Sequence, residues 1–377
     1  MKTYRIILTP KSSITSFPSS DTLFGAICWG IRTIYGENTN EGLNKILEKF
    51  KNKEFPFILS STFPLFKNDN VNIFFYPKPI REDLIVSEVE EIAKNYEVSF
   101  GGIKKSKVRI ISELKKFKKA IYVSEEIFKH IITGKREKEL FEEYLDRKTF
   151  EVKENTFEQN QLGGKIKLVG KMLMTDEEYN KIFTDKKQPK VLAEVSVQKN
   201  LLDRISLSTT SQGQTFCSEE YFLASNVSLY FLIKTNDIDY LKPVFEYLED
   251  RGIGRDKYTG KGSFKFSAPE ECKLPDNNNE KTFITLSRYI PNIDEIIVDK
   301  EKMFYELLTY HSKVESIFEF KGEDIFKNKV IYIKEGSIFE AKEKRDFYGK
   351  IPVVKKIQGK EILQYGLAFP IFGKMGE

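Results

Sequence analysis

The sequence predicts an α+β chain in two units, and three observations carry that prediction. Once residues 80–190 are set aside, strand-like and amphipathic helical segments follow in the order strand, helix, strand, strand, helix, strand. That order is the arrangement of ferredoxin-like and RNA-recognition-motif (RRM-like) units. A Pro/Asn/Asp-rich stretch at 269–280 then interrupts the chain. At 377 residues the chain exceeds one typical domain. The expected division is 1–268, a first unit with a large insertion at about 80–190, and 269–377, a smaller β-rich unit.

Thr3-Tyr4-Arg5-Ile6-Ile7-Leu8 reads as the first strand, ended by Pro10. Ser19, Ser20, Asp21 and Thr22 offer N-caps for a helix in which Leu23, Ala26, Ile27, Ile31 and Ile34 share one face and which Gly36 closes. Gly25 and Gly30 are small enough to let that helix lie close against a sheet. A second helix is predicted over Glu41–Phe50. Phe57–Ser61 and Val71–Tyr76 read as short extended pieces broken by prolines. From 80 to 190 charges alternate with little periodicity, and the segment reads as an insertion, partly helical and partly mobile. Within it, residues 101–120 carry Lys104, Lys105, Lys107, Arg109, Lys115, Lys116, Lys118 and Lys119 against a single acid, Glu113. Residues 214–222 and 226–234 read as strands. Ile238, Leu241, Val244, Phe245 and Leu248 give helical spacing over 238–250, and Ser263-Phe264-Lys265-Phe266 alternates like a last strand. Beyond 280, strand-like pieces stand at Thr282–Leu286, Val330–Ile333, Ile351–Lys356 and Leu363–Phe369.

Composition narrows the function classes. Hydrophobic residues make up 40% and charged ones 31%, enough apolar content for real cores. The net charge of +5, from 61 basic and 56 acidic side chains, is too mild for a uniformly basic nucleic-acid binder, so any basic surface must be local. Cys28, Cys217 and Cys272 are odd in number and far apart, which argues against a disulfide framework or a cysteine-based zinc site. The N-terminus lacks the apolar region of a signal peptide, and no apolar run approaches membrane-spanning length. The chain is therefore expected in the cytoplasm, with no membrane partner, no metal and no cofactor.

The segment between the second helix and the last strand carries the strongest chemical signal. Gly252, Gly254, Gly260 and Gly262 are interleaved with Arg255, Lys257 and Lys261, with Tyr258 and Thr259 at the centre. Glycine lets a ligand approach the main chain, and successive exposed N–H groups form an anion-binding concavity. Basic side chains add attraction for phosphate, and the tyrosine ring offers a stacking face for a base. Lys261 is followed by Gly262 where a P-loop needs Ser or Thr, and the helix–loop–strand order is the reverse of a dinucleotide fingerprint. The loop suits a polyanion that carries bases. Asn200, Asp203 and Arg204, followed by a Ser/Thr run, form a second constellation: arginine suits phosphate or a base edge, asparagine a base. A surface ion pair between Asp203 and Arg204 is the plainer alternative.

Catalytic chemistry is not legible. Metal-independent RNA cleavage usually uses histidine as acid or base, and the chain has two, His130 in a predicted helix and His311 beside Tyr310. Carboxylates at 88–91 and 137–143 read as solvated helix faces. The expectation is a protein that is not an enzyme and has no catalytic residues.

Four segments in order then carry a family likeness: Ser20-Asp21-Thr22-Leu23-Phe24-Gly25-Ala26, Asn200-Leu201-Leu202-Asp203-Arg204, the loop 252–264, and Tyr365-Gly366-Leu367-Ala368-Phe369-Pro370-Ile371. Together they resemble the RAMP subunit that caps the crRNA 5′ end in Csm (type III-A CRISPR) effector complexes of antiviral defence. The chain departs from that family at Leu201-Leu202, where a basic residue is usual, and at Asp256-Lys257-Tyr258, where more basic or serine-rich sequence is common.

The resemblance implies tandem ferredoxin-like (RAMP) domains and a non-catalytic role in gripping the repeat-derived 5′ handle of the guide. It also implies a position linking the large polymerase–cyclase subunit to the backbone RAMP subunit. A thumb-like extension would reach the guide–target RNA duplex near the handle, and the insertion is the candidate for it. The RNA-binding residues expected on this basis are Ser19, Ser20, Asn200, Asp203, Arg204, Gly252, Gly254, Arg255, Lys257, Tyr258, Thr259, Gly260, Lys261 and Gly262. Backbone contacts are expected from Lys104, Lys105, Lys107 and Arg109. The alternatives are a metal-independent CRISPR repeat endoribonuclease of the same superfamily, and the equivalent subunit of a Cmr complex. A protein-interaction scaffold without RNA is more remote.

Overall fold

The computed structural model describes residues 1–68, 71–98, 100–145, 165–183, 191–200, 215–277, 279–299, 302–315 and 322–375. Strand β1 (Lys2–Pro10) leads through an irregular segment to helix α1 (Ser20–Tyr35), with Ser19 at the N-cap and Gly36 at the C-cap. Helix α2 (Leu43–Lys51) and strands β2 (Phe57–Leu59), β3 (Phe63–Asn68) and β4 (Val71–Pro77) follow. The described part of the insertion contains α3 (Val86–Asn95), α4 (Ile103–Phe117), β5 (Tyr122–Ser124), α5 (Glu125–Ile132), α6 (Glu137–Tyr144), β6 (Ile166–Val169), β7 (Met172–Thr175) and α7 (Asp176–Ile182). Next come β8 (Leu192–Asn200), β9 (Thr215–Leu223), β10 (Val227–Thr235), α8 (Lys242–Arg251), β11 (Phe264–Phe266) and β12 (Glu270–Glu271).

The large sheet has the order β11-β1-β10-β3-β4-β5-β7-β6, with β2 also on β10 and β12 also on β1. Without the insertion, the last strand lies beside the first, the first beside the third, and the third beside the second. All these pairs are antiparallel, which is the ferredoxin-like order. Residues directly opposite on neighbouring strands share a face. Ile6 opposes Phe231, whose ring meets Phe245 of α8, and both strand residues are buried under the helices. Ile7 opposes Tyr230 on the other face, where Tyr76 stacks on Phe128 of α5.

Two expectations change here. Gly30 serves a helix–helix contact: a Cβ there would lie 2.6 Å from Val244 Cγ1 of α8, while Gly25 has open space beside it. The described part of the insertion is packed. β5 extends the main sheet, and Ile92, Tyr96, Ile110, Phe117, Phe128 and Phe141 join the same continuous core as Leu23 and Ile31. β9 lies off the main sheet. It forms a two-stranded ribbon with β8, anchored to residues 11–14 by Ile14–Tyr221 main-chain bonds.

The second unit comprises β13 (Thr282–Thr285), β14 (Ile296–Ile297), β15 (Leu307–Tyr310), β16 (Val330–Ile333), β17 (Ile338–Ala341), β18 (Tyr348–Gly349), β19 (Val353–Ile357), β20 (Lys360–Leu363), β21 (Leu367–Ala368) and β22 (Pro370–Phe372). Its main sheet runs β14-β17-β13-β22. Counting β13, β14, β17 and β22 as first to fourth, this is the ferredoxin-like order again. A 3₁₀ turn at Ile293–Glu295 stands where the first helix would be, and the β18–β21 and β19–β20 pairs lie between the third and fourth strands. β13 alternates between two cores. Ile284 belongs to the core shared with the first unit, and Phe283 packs with Tyr289, Phe339, Tyr348 and Phe372. No helix among the described residues is long and apolar enough to cross a membrane.

A polar seam joins the units. Asp21 at the start of α1 accepts hydrogen bonds from Arg288 Nη1 at 3.0 Å, Ser19 Oγ at 2.6 Å and Gln364 Nε2 at 3.3 Å. Gln364 Oε1 in turn accepts from Lys327 Nζ at 2.9 Å. Nearby, Cys28 is buried and its thiol is pushed up to about 12 by desolvation, with Lys327 pulling weakly the other way. A thiolate is the reacting species. Alkylation at pH 8 is therefore expected to label Cys217 fast, partly exposed Cys272 slowly and Cys28 only after unfolding, as read by mass spectrometry.

Candidate nucleic-acid interface

The glycine-rich loop begins where α8 ends. Gly252 caps the helix at φ +79°, its N–H donating to Leu248 O at 2.9 Å. The base of the loop is closed by Ile253 N–H donating to Gly262 O at 2.8 Å and Gly262 N–H donating to Ser13 O at 2.9 Å. The tip turns through Asp256 at φ +60°, a 3₁₀ turn over Lys257–Thr259, and Gly260 at φ +83°. The amides of Thr259, Gly260 and Lys261 return to the carbonyls of Asp256 and Lys257. The amides of residues 254–258 make no hydrogen bond among the described residues. Five successive unsatisfied N–H groups in a strongly turned segment have the chemistry of an anion nest.

The loop's charges are distributed less simply than its sequence suggests. Lys261 pairs with Glu220 of β9, whose carboxylate also accepts from Ser13 Oγ at 2.9 Å. Lys199 of β8 lies 3.0 Å from Asp256. Lys257 and Arg251 both contact Glu315, at 2.6 and 2.7 Å. Burial opposes ionisation of Glu315, but Lys257, Tyr258 and Arg251 more than offset it and hold the carboxyl below its ordinary value. Arg255 is the outlying cation, 74% exposed and 3.8 Å from Asp256. The Tyr258 ring is 72% exposed, yet its hydroxyl is fixed by donating to Glu315 Oε1 at 2.7 Å and accepting from Arg251 Nη2 at 2.9 Å. A ring so anchored presents its face without losing side-chain entropy on stacking.

The other predicted residues are placed as follows. Asn200 ends β8 next to Lys199, so the β8–β9 ribbon and the loop meet through the Lys199–Asp256 pair. Asp203 and Arg204 lie outside the described residues. Ser19 and Ser20 are buried in the seam. Ser20 N–H donates to Ser61 Oγ at 3.0 Å, and Ser20 Oγ accepts from the Arg288 amide at 3.1 Å. Their polar atoms face protein because the second unit covers the start of α1. On α4, Lys104 and Lys105 are exposed, Lys107 pairs with Glu90 at 2.8 Å, and Arg109 lies 4.8 Å over the Phe100 ring.

His130 is exposed 3.7 Å from Glu126, and His311 stacks on Phe326. No group of three or more His, Cys, Asp or Glu among the described residues could hold a metal ion. Sequence reasoning missed Glu220, Glu315 and Ser13. The two glutamates lie 41 positions before Lys261 and 57 beyond Tyr258, and no local pattern links them to the loop.

No protein-family model matches the chain, and no curated protein matches it. Solved structures do. A chain of the Csm1–Csm4 cassette bound to pppApA is 18% identical, with all of both chains covered and a TM-score of 0.53. The cassette bound to cA4 gives 18% identity, 100% and 99% coverage, and a TM-score of 0.54. A chain of the Csm3–Csm4 subcomplex of the type III-A CRISPR-Cas interference complex is 22% identical over 96% of this chain and 98% of that one, with a TM-score of 0.55. Csm4 is the component common to all three. The chain has the Csm4 fold. Within the Csm4 fold the glycine-rich loop occupies the link between the second helix and the last strand of the first ferredoxin-like unit.

Proposed function

We propose that the chain is a non-catalytic, RNA-binding subunit of a type III-A CRISPR (Csm) effector complex. In this reading it holds the 5′ handle of the guide RNA in the cytoplasm, and joins the large polymerase–cyclase subunit to the first backbone subunit. The observation that carries the reading is end-to-end agreement of fold with chains crystallised with Csm1 and with Csm3. The loop supports it independently: open amides at 254–258, exposed Arg255 and an anchored Tyr258 ring suit a ribose-phosphate strand with unpaired bases. Lys104 and Lys105 of α4 add exposed charge for phosphate contacts.

The test is guide recovery from the assembled complex. Arg255→Glu combined with Tyr258→Ala removes the exposed cation and ring at the tip together with the Tyr258 hydroxyl's bonds, while the Arg251–Glu315 and Lys257–Glu315 pairs remain. Loss of a stacked base and one phosphate contact is expected to lower bound guide about 10–100-fold, since each such contact is worth about 1–3 kcal/mol. Thermal stability should stay close to wild type. Guide recovery unchanged in a folded variant would remove the loop from the interface. Specific cleavage of labelled repeat RNA by the purified chain would favour an endoribonuclease instead.

A further inference from the structure

We infer that Arg251, Lys257 and Tyr258 form a phosphate-binding site that the Glu315 carboxylate occupies until an RNA phosphate displaces it. This rests on the RNA-binding reading of the loop and adds a defined subsite to it. Three donors from the end of α8 and the loop converge on one oxygen. Arg251 Nη2 at 2.7 Å, Lys257 Nζ at 2.6 Å and Tyr258 OH at 2.7 Å all reach Glu315 Oε1. A guanidinium, an ammonium and a phenol around a single anionic oxygen are the donor set by which proteins hold phosphate. The donors are built in place. The Arg251 guanidinium also bonds Tyr247 OH and lies 5.5 Å over the indole of Trp29, the chain's single tryptophan. Its Nε is buried without a partner, so the guanidinium retains an unused donor.

The occupant is the part that can leave. Glu315 belongs to an irregular segment of the second unit, and its side chain is 32% exposed, so it can turn into water. The loop's other carboxylate contact behaves differently. Glu220 is 2% exposed on β9 and held by Lys261 and Ser13, and withdrawing it would require opening the ribbon. Two of the three donors, Lys257 and Tyr258, belong to the segment 254–258 whose amides are open, so the phosphate subsite and those amides are parts of one loop.

Glu315→Gln keeps the shape of the side chain and removes its charge. Full-length protein is titrated with a fluorescein-labelled oligouridylate at several salt concentrations. Glu315→Gln is expected to bind about tenfold tighter than wild type, the scale of one charge-assisted contact. Its log–log salt slope should steepen by about 0.7, the increment for one more phosphate on a single strand. Adding Lys257→Gln to Glu315→Gln should abolish the gain. Glu315→Ala serves as a second variant and should bind more tightly as well. Wild-type binding with no gain in either Glu315 variant overturns this site and leaves the RNA-binding reading standing. Absence of oligouridylate binding by wild type and both variants overturns the two together.

Discussion

Asp21→Ala is expected to lower the free energy of unfolding by about 3–5 kcal/mol, the range for removing one partner of a buried ion pair. The Asp21 side chain is 3% exposed and stands at the start of α1, facing Arg288 at 3.0 Å. The carboxylate left near Arg288 is Glu335, which is already engaged by Ser61 Oγ. The Nε of Arg288 is buried without a partner, and its guanidinium lies 4.7 Å over the Tyr310 ring, which cannot accept several N–H bonds. Gln364 loses an acceptor at the same time, and Lys327, which bonds Gln364 Oε1, loses a nearby negative charge. The cost comes from a charge left poorly compensated, with only Glu335 near it, rather than from lost contact area. Arg288→Met combined with Asp21→Ala should therefore recover about 1–2 kcal/mol or more relative to Asp21→Ala alone, as a double-mutant cycle would report. Asp21 lies in the first unit, and Arg288, Lys327 and Gln364 in the second, so the substitution also loosens their junction. Urea unfolding followed by fluorescence should change from one transition toward two. A loss below about 1 kcal/mol, or a double variant weaker than the single, would show that the seam does not hold the units together.

What the sequence discloses depends on whether a pattern is local. α1 and α8 are legible because their apolar residues recur at helical spacing and their ends carry Ser19, Gly36 and Gly252. β8 carries only a weak signal: Ala193, Val195 and Val197 alternate with Glu194, Ser196 and Gln198, but the strand lies in a two-stranded ribbon with none of its residues buried, so no strong apolar face marks it. Insertion helices were obscured by charge. In α4 the lysines at 104, 105, 107, 115 and 116 dominate the composition and mask the buried Ile110, Leu114 and Phe117. The second unit's order of strands is equally hidden, because β14 and β21 have two residues each and no α-helix among its described residues marks the crossovers. At the site, four glycines announced the loop, and nothing near them announced its anions. Glu220 and Glu315 are brought there by pairing of β9 and by docking of the second unit, both tertiary events. Ser19 and Ser20 were legible as a helix start, while their burial depends on Arg288 and Ser61, remote in sequence.

The same separation of local and tertiary causes sets the expected contrast between two glycines of the loop. Gly262→Ala is expected to cost about 3–5 kcal/mol, and Gly260→Ala only about 1 kcal/mol, although both stand at positive φ. At Gly260 the φ is +83° and no atom lies within 4 Å of an added Cβ, so the cost is that of the left-handed backbone alone. At Gly262 the φ is +64° and the Cβ would fall 2.1 Å from Ile253 O, a main-chain atom that cannot swing aside as a side chain would. Relief requires parting Ile253 from Gly262, and that pair closes the loop. The strain then spreads, because Gly262 N–H is bonded to Ser13 O, Lys11 N–H to Ser263 O, and Ser263 N–H to Ser12 Oγ. These bonds hold the loop to the segment after β1, which also anchors the β8–β9 ribbon through Ile14 and Tyr221. Gly262→Ala should thus lower the urea midpoint strongly and abolish guide retention, while Gly260→Ala retains most of both. Equal losses in the two variants would mean that the loop tolerates displacement of its base, and that the closure at Ile253–Gly262 does not position the open amides.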